Sequence, residues 1–536
     1  MKKLRYIAYA VLVIFGMQAC TKSFLELEPK TGLVEDNFYK TESDAFLALV
    51  GVYDALTVQN WQFIPLMSDI FSDDAFTGGA DAKDMSQWHE IELSQMTDAN
   101  NSAADLWNRC YSAIYRANLY MEKEGGITWT NPENRKRFLA EAKFIRGYIY
   151  FDLARHYGWV PIITSVLPSI DDYRKATQNT PAEVYTQAAK DILAALPDLP
   201  ATIPASEIGR ITKYAAKALI SRIYLYHTGI KAAIPELGLT GAWTDGTTTI
   251  DKAYVQAALD DIITTGGYSL VPNYADLFDW YHQNSSESIL EFQYSEKAKS
   301  SDWGGWGING NFSVIFYGMR NPAGYGGVWD AGWSFATITW SLINEYEAGD
   351  PRKDATVFNA DAEAGSYLKA FENSGFFNKK FMPRNAFQAT AGSREHNYPI
   401  NFIDIRLADV LLMASEVYVT DNPSKAKDYL NQVRTRALGA GAAKSAVTLD
   451  DIYHERRVEL AGEGSRKWDL LRRGMDYAKT KIDASFNVPS NIPNKQDFAG
   501  RAFDPQTYGM FPIPGVEIRN CNTGVLKQYY LNINKL

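Results

Sequence analysis

From residue 41 onward the apolar positions recur at helical spacing: Ala45, Leu49, Val52, Tyr53 and Leu56 share one face. The same periodicity predicts helices over about 105–123, 132–156, 181–196, 210–228, 250–265, 404–420 and 423–437. The stretch 132–156 is apolar on every face, through Phe144, Ile145, Tyr148, Ile149, Phe151 and Leu153, which predicts a helix buried between neighbours. Gly147 inside it costs about 1 kcal/mol against alanine, so a close helix–helix approach is expected there. Small pairs such as Ala188-Ala189, Ala215-Ala216 and Ala257-Ala258 sit where helices would cross. Between 270 and 400 the helical period fades and Gly, Asn and aromatics rise, with a short strand expected over 288–294. Long irregular stretches inside compact proteins usually carry function.

Pro423 suits the first turn of a helix, so 404–420 and 423–437 read as a helical hairpin closed by Asn422-Pro423. Such pairs are similar to tetratricopeptide units, which stack to bury a shared core. No single period runs through the chain, so divergent units are expected. The fold class is therefore mainly α, a helical-hairpin body with an irregular, loop-rich region at about 270–400 containing short strands.

The first twenty residues obey another pattern. Lys2, Lys3 and Arg5 precede an apolar run from Tyr6 to Phe15, and Ala19-Cys20 follows. This is a secretory signal, too short to span a bilayer. Cleavage before Cys20 with acylation of its thiol makes 1–19 a lipoprotein signal, 20–40 a lipidated leader and 41–536 the body. An ordinary secretory peptide cut nearby is the alternative.

The formal charge of −9 and a pI near 5.4 argue against nucleic acid, which needs a basic footprint. Cys110 and Cys521 remain in the body, and sequence leaves their pairing open. Aromatics reach 13%; much of this must be core, since aromatics carry large buried area, and some of it need not be.

Residues 301–335 hold Trp303, Trp306, Trp329 and Trp333 with Tyr317 and Tyr325, separated by glycines. Glycine lets a backbone present flat rings at unusual angles. Such rings stack on the C–H face of a pyranose, while Asn309, Asn311, Arg320 and Asp330 offer partners for its hydroxyls. The alternative is a cross-packed loop that fills the core; one or two exposed platforms are expected. A second candidate, 68–90, gathers Asp69, Asp73, Asp74, Asp81, Trp88 and His89 around Gly78-Gly79. It suits sugar hydroxyls or calcium, but its spacing does not match the twelve-residue calcium loop, and each aspartate alone reads as solvated.

Gly305 to Gly310 formally matches GxGxxG without the flanking strand and helix the fingerprint needs. No phosphate loop, HExxH, GxSxG or CxxC occurs, and the six histidines lack metal-ligand spacing. No cofactor, metal or catalytic residue is expected. At 455–473, Arg456/Glu459, Arg466/Asp469 and Asp469/Arg473 have the spacing of ion pairs within helices.

Five segments then carry a resemblance: FLELEPK at 24–30, AEAKFIRGYIYFDLARHYGWVPI at 140–162, DIRLADVLLMASEVY at 404–418, ERRVELAGEGSRKWDLLRRG at 455–474 and FPIPGVEIRNCN at 511–522. In this order they resemble the SusD/RagB family of outer-membrane lipoproteins of Bacteroidetes. The resemblance implies four tetratricopeptide-like units and a non-catalytic, cell-surface protein that captures a glycan. It also implies a partner, a SusC-like TonB-dependent transporter whose lid this chain would form. An aromatic arc would hold the glycan in regions corresponding to 68–90 and 300–335. The expected ligand residues are Trp88, Trp303, Trp306, Tyr317, Arg320, Tyr325, Trp329, Trp333, Asn309 and Asp73. Capture of peptides, and a secreted glycoside hydrolase, are the rival functions.

Overall fold

The structure, a computed structural model, describes residues 38–529 except 58, 240, 300, 302–308, 493–494 and 499. The signal and lipidation reading at 1–20, with Cys20, and the two tryptophans Trp303 and Trp306 lie outside the described residues.

The main helices are α1 (Glu42–Asp54), α2 (Gln59–Phe71), α3 (Ser86–Glu92), α4 (Asn101–Lys123), α5 (Pro132–Tyr157), α6 (Pro181–Ala195), α7 (Lys213–Ala233), α8 (Lys252–Thr265), α9 (Leu407–Tyr418), α10 (Pro423–Leu438), α11 (Leu449–Glu459), α12 (Arg466–Arg473) and α13 (Met475–Ala484). Their starts follow local chemistry. The Asn100 side chain accepts from the Ala103 amide, Thr180 and Glu183 cap each other reciprocally, and Asn422 caps a helix opened by Pro423. Helix α5 lies against α4 and α6, α7 against α8 and α12, and α9 against α8 and α10, as a stacked body of helical hairpins. Among the described residues no helix is long and apolar enough to cross a membrane.

Helix α5 is buried all round from Ala140 to Tyr157 apart from Lys143. Its charges are matched inside: Arg146 holds Asp191 through two hydrogen bonds of 2.8 and 2.6 Å and Asn118 through a third of 2.7 Å. A Cβ on Gly147 would stand 2.7 Å from Ile192 Cγ1 and 3.1 Å from the Ala188 carbonyl, so this glycine is what lets α5 and α6 touch.

The short strands include β1 (Ala75–Gly78), from the 68–90 segment, and, in and just after the irregular region, β2 (Ser288–Phe292), β3 (Arg320–Gly324), β4 (Phe335–Ile338), β5 (Val357–Asn359), β6 (Gly365–Leu368), β7 (Phe376–Asn378) and β8 (Phe402–Arg406). They pair antiparallel as β1–β4, β2–β8, β3–β6 and β5–β7. The predicted helix 404–420 is thus a strand up to Arg406 and a helix only from Leu407, because 402–406 pairs with 288–292.

A belt of buried ion pairs joins the body to this region. Arg406 bonds Glu287 at 2.8 Å and Glu459 at 2.6 Å, Arg352 bonds Glu455 at 2.5 Å, and Arg456 bonds Asp409 at 2.7 Å and Asp469 at 2.9 Å. The within-helix pairs expected at 455–473 do not form. Asp469 pairs instead with Arg472 one turn on in α12 and with Arg456 of α11, Arg466 turns to Asp73, and Arg473 to Asp450, because the chain turns at Gly462 and Gly464 and brings these faces against other segments. Cys110 and Cys521 are both buried and free.

Candidate functional site

Two glycines, Gly332 of the aromatic tract and Gly365 beyond it, have a different job from the one the tract's spacing suggested. A Cβ on Gly332 would stand 2.3 Å from the Gly318 Cα, and one on Gly365 would enter the Tyr325 ring at 2.6 Å. They let segments cross closely, and the crossing turns most of the rings inward.

Several expected ligand residues are therefore corrected. Trp88 is 0% exposed: α3 points it into the core, edge-on to Phe63 at 5.4 Å and to Phe335 at 5.2 Å. Asp73 is equally buried and receives two hydrogen bonds from Arg466, at 2.7 and 2.9 Å, with Arg457 3.0 Å away. Burial opposes its charge, but the two guanidinium groups hold its carboxyl below the usual range. Tyr317 is buried against Phe381, and Tyr325 is buried against Phe358 with its hydroxyl donating to the Ala360 carbonyl at 3.1 Å. Side chains spent on core and ion pairs have nothing left to offer a sugar at the surface. Trp333 is half-buried, cross-packed on Phe316 at 4.8 Å and Phe312 at 5.8 Å.

Three expected residues do reach the surface. Trp329 is half-buried, its ring on Phe358 at 5.1 Å, and its segment is bridged to Arg384. Arg320 is partly exposed and paired with Asp84 at 2.8 Å. Asn309 is exposed, while its carbonyl accepts from the Ser295 amide at 2.7 Å.

Beside Trp329 lies a shelf that the sequence reading missed. Tyr281 is 70% exposed and leans on half-buried Phe387 with ring centres 4.6 Å apart. Phe387 rests on buried Trp280 at 5.1 Å, and Arg384 covers the other part of Trp280 while donating to the Phe278 carbonyl at 3.1 Å. Asn385 donates to the Trp329 carbonyl at 3.0 Å and to Gly327 at 2.8 Å, which joins Trp329 to the shelf, and Gln388 donates back to Asn385. Asp279 bonds His282 at 2.6 Å; burial resists its charge, but His282 and the Tyr281 amide keep it below the ordinary carboxylate range. Tilted rings beside exposed side-chain amides, a carboxylate and a guanidinium have the chemistry a saccharide requires. The available signal was Asp279-Trp280-Tyr281-His282, two adjacent aromatics inside the irregular region.

A cavity of about 90 Å³ lies deeper, lined among others by Tyr148, Tyr294 and Tyr317. Its arginines are already paired, Arg222 with Asp404 and Asp409 and Arg472 with Glu416, so it reads as room for several waters.

Two family descriptions match the chain: "SusD family" over residues 350–531, and "Starch-binding associating with outer membrane" over 23–225. SusD-like protein P25 of Formosa agariphila is 26% identical over 518 residues, which cover 88% of this chain and 90% of that protein. A solved laminarin binding SusD-like protein superimposes with a TM-score of 0.76 at 28% identity, covering 91% of this chain and 100% of its own. Surface glycan-binding protein A from Bacteroides thetaiotaomicron, solved in complex with laminarihexaose, gives 0.76 at 25% identity, with 91% and 99% covered. With two matched regions at opposite ends of the chain, and a helical body and irregular region shared with these structures along nearly the whole length, the chain belongs to the SusD/RagB family.

Proposed function

We propose that this protein captures an oligo- or polysaccharide at the cell surface, without breaking it, and passes it to a SusC-like TonB-dependent transporter in the outer membrane, to which Cys20 lipidation would tether it. The observation that carries the reading is the Tyr281–Phe387–Trp329 shelf, with exposed Tyr281 at its edge and Asn385, Gln388 and Arg384 around it, in a fold shared with proteins named for glycan binding. Two of those names specify laminarin or its hexaose, so a β-glucan of that class heads the ligand series.

The test uses the chain from residue 21 onward, titrated calorimetrically against a polysaccharide panel led by laminarin, with chromatography of the mixtures afterwards. Binding without product release is expected, weakened at least tenfold by Tyr281→Ala or Trp329→Ala. Release of sugars would move the protein to the glycoside hydrolases. A silent glycan panel with a bound peptide library would make it a peptide-capturing relative. Co-purification of the full-length lipoprotein with its neighbouring transporter tests the partnership.

A further inference from the structure

His89 of α3 meets Glu92 of the same helix and Glu372 of the loop before β7, all three buried. Their donor atoms lie within 4.8 Å of one another, with His89 Nδ1 3.8 Å from Glu92 Oε2 and 3.6 Å from Glu372 Oε2. These separations are longer than a good hydrogen bond, and His89 Nε2 is buried with no partner in a residue only 9% exposed. The charges are also unequal. Arg501 serves Glu92, through Nη2 at 2.5 Å and Nε at 3.2 Å, and the Thr77 amide adds a bond of 3.1 Å. Glu372 accepts one weak bond, from the Gly78 amide at 3.4 Å, and faces the Glu92 carboxylate; burial and that neighbour raise its carboxyl well above the usual range. Its backbone is nonetheless pinned, with Thr337 Oγ1 donating to its carbonyl at 2.7 Å and φ held at 43°.

A protonated imidazole does not answer this, since charge-assisted N–H···O bonds close to about 2.7–2.9 Å. A cation between the donors does. Four ligands about 2.0–2.1 Å from zinc stand roughly 3.3–3.4 Å apart, and small side-chain rotations bring the present 3.6 and 3.8 Å to that spacing. One imidazole with two carboxylates selects the zinc class over calcium or magnesium, which prefer all-oxygen shells.

We propose that His89, Glu92 and Glu372 bind one divalent transition-metal cation of the zinc class, with water completing the shell, so that the metal clamps α3 to β1 and the 371–375 loop.

The experiment strips the mature chain with chelator, removes the chelator, and titrates zinc chloride by calorimetry, with calcium and magnesium as controls. One equivalent of zinc is expected, with a raised melting temperature. His89→Gln and Glu372→Gln should each weaken binding by at least about tenfold, the scale lost even when a supporting second-shell group is removed. Glu372→Gln in chelator should melt no lower than the stripped wild type, since burial and Glu92 favour the neutral carboxyl there, which the amide replaces. X-ray absorption of the zinc-loaded wild type should show oxygen donors and a single imidazole, independently of how the variants fold. No zinc binding, binding unchanged in both variants, or a shell containing sulfur or two imidazoles overturns the proposal.

Discussion

Asp73 separates a scaffold role from a ligand role by experiment. Among the described residues its carboxylate is the sole one hydrogen-bonded to Arg466, through bonds of 2.7 and 2.9 Å, and both groups are buried. Arg457 is less dependent on it, since Asp74 at 2.8 Å and Glu345 at 2.9 Å also hold that guanidinium. Asp73→Asn would keep one acceptor oxygen, set an amide N–H₂ against a guanidinium N–H, and leave Arg466 buried without a counter-charge. Removing one partner of a buried pair costs about 3–5 kcal/mol. The retained acceptor places this change near the lower end, about 3 kcal/mol, a large part of a typical total of 5–15 kcal/mol. Urea denaturation followed by tryptophan fluorescence reads the loss, and calorimetry on the folded variant reads glycan affinity. The expected result is a lower midpoint with unchanged affinity. Asp73→Asn combined with Arg466→Met should recover part of the loss, because an apolar replacement of both charges leaves none unpaired. A variant within 1 kcal/mol of wild type whose glycan binding falls tenfold would refute the reasoning and return Asp73 to the ligand site.

Other outcomes follow from the same geometry. Gly147→Ala gains helix propensity worth about 1 kcal/mol but drives a methyl group to 2.7 Å from Ile192, an overpacking cost of about 1–3 kcal/mol, so denaturation should show net destabilisation. Against burial, Arg456 and Arg222 pull Asp409 down to about 2, and His454 and Arg457 do the same for Glu345. Their stabilisation is present above about pH 4.5 and should be lost in melts taken between about pH 4 and 2. Asp152 has the opposite sign: burial raises it to about 6 despite Arg155, so its contribution is full below about pH 4 and lost as pH rises through 6. Melts in the presence and absence of reductant should coincide, since Cys110 and Cys521 are separately buried thiols. Tyr281→Ala should leave the midpoint of unfolding nearly unmoved, because that ring is 70% exposed.

The sequence determined the helical body. Where apolar positions recur every three or four residues and Asn or Thr caps precede Pro, as at 132–157, 181–195 and 423–438, helix formation is local, and the elements follow within a few residues. It also fixed the crossing at Gly147, because a glycine amid large residues has a steric reason that needs no distant partner to be named. The side on which an aromatic ring ends up was decided by the tertiary structure alone. Trp88 and Tyr317 read as surface platforms until α3 and the 312–317 turn packed them on Phe63, Phe335 and Phe381, whereas Tyr281 became exposed because Trp280 took the inward position. Pairing of charges was equally non-local: Asp73 meets Arg466 across almost four hundred residues, a contact no spacing rule contains. Periodicity records which face of one element is apolar. Which ring or charge meets another is set by how elements distant in sequence fit together, and in the irregular region that fit is made by close glycine crossings rather than by any repeating pattern.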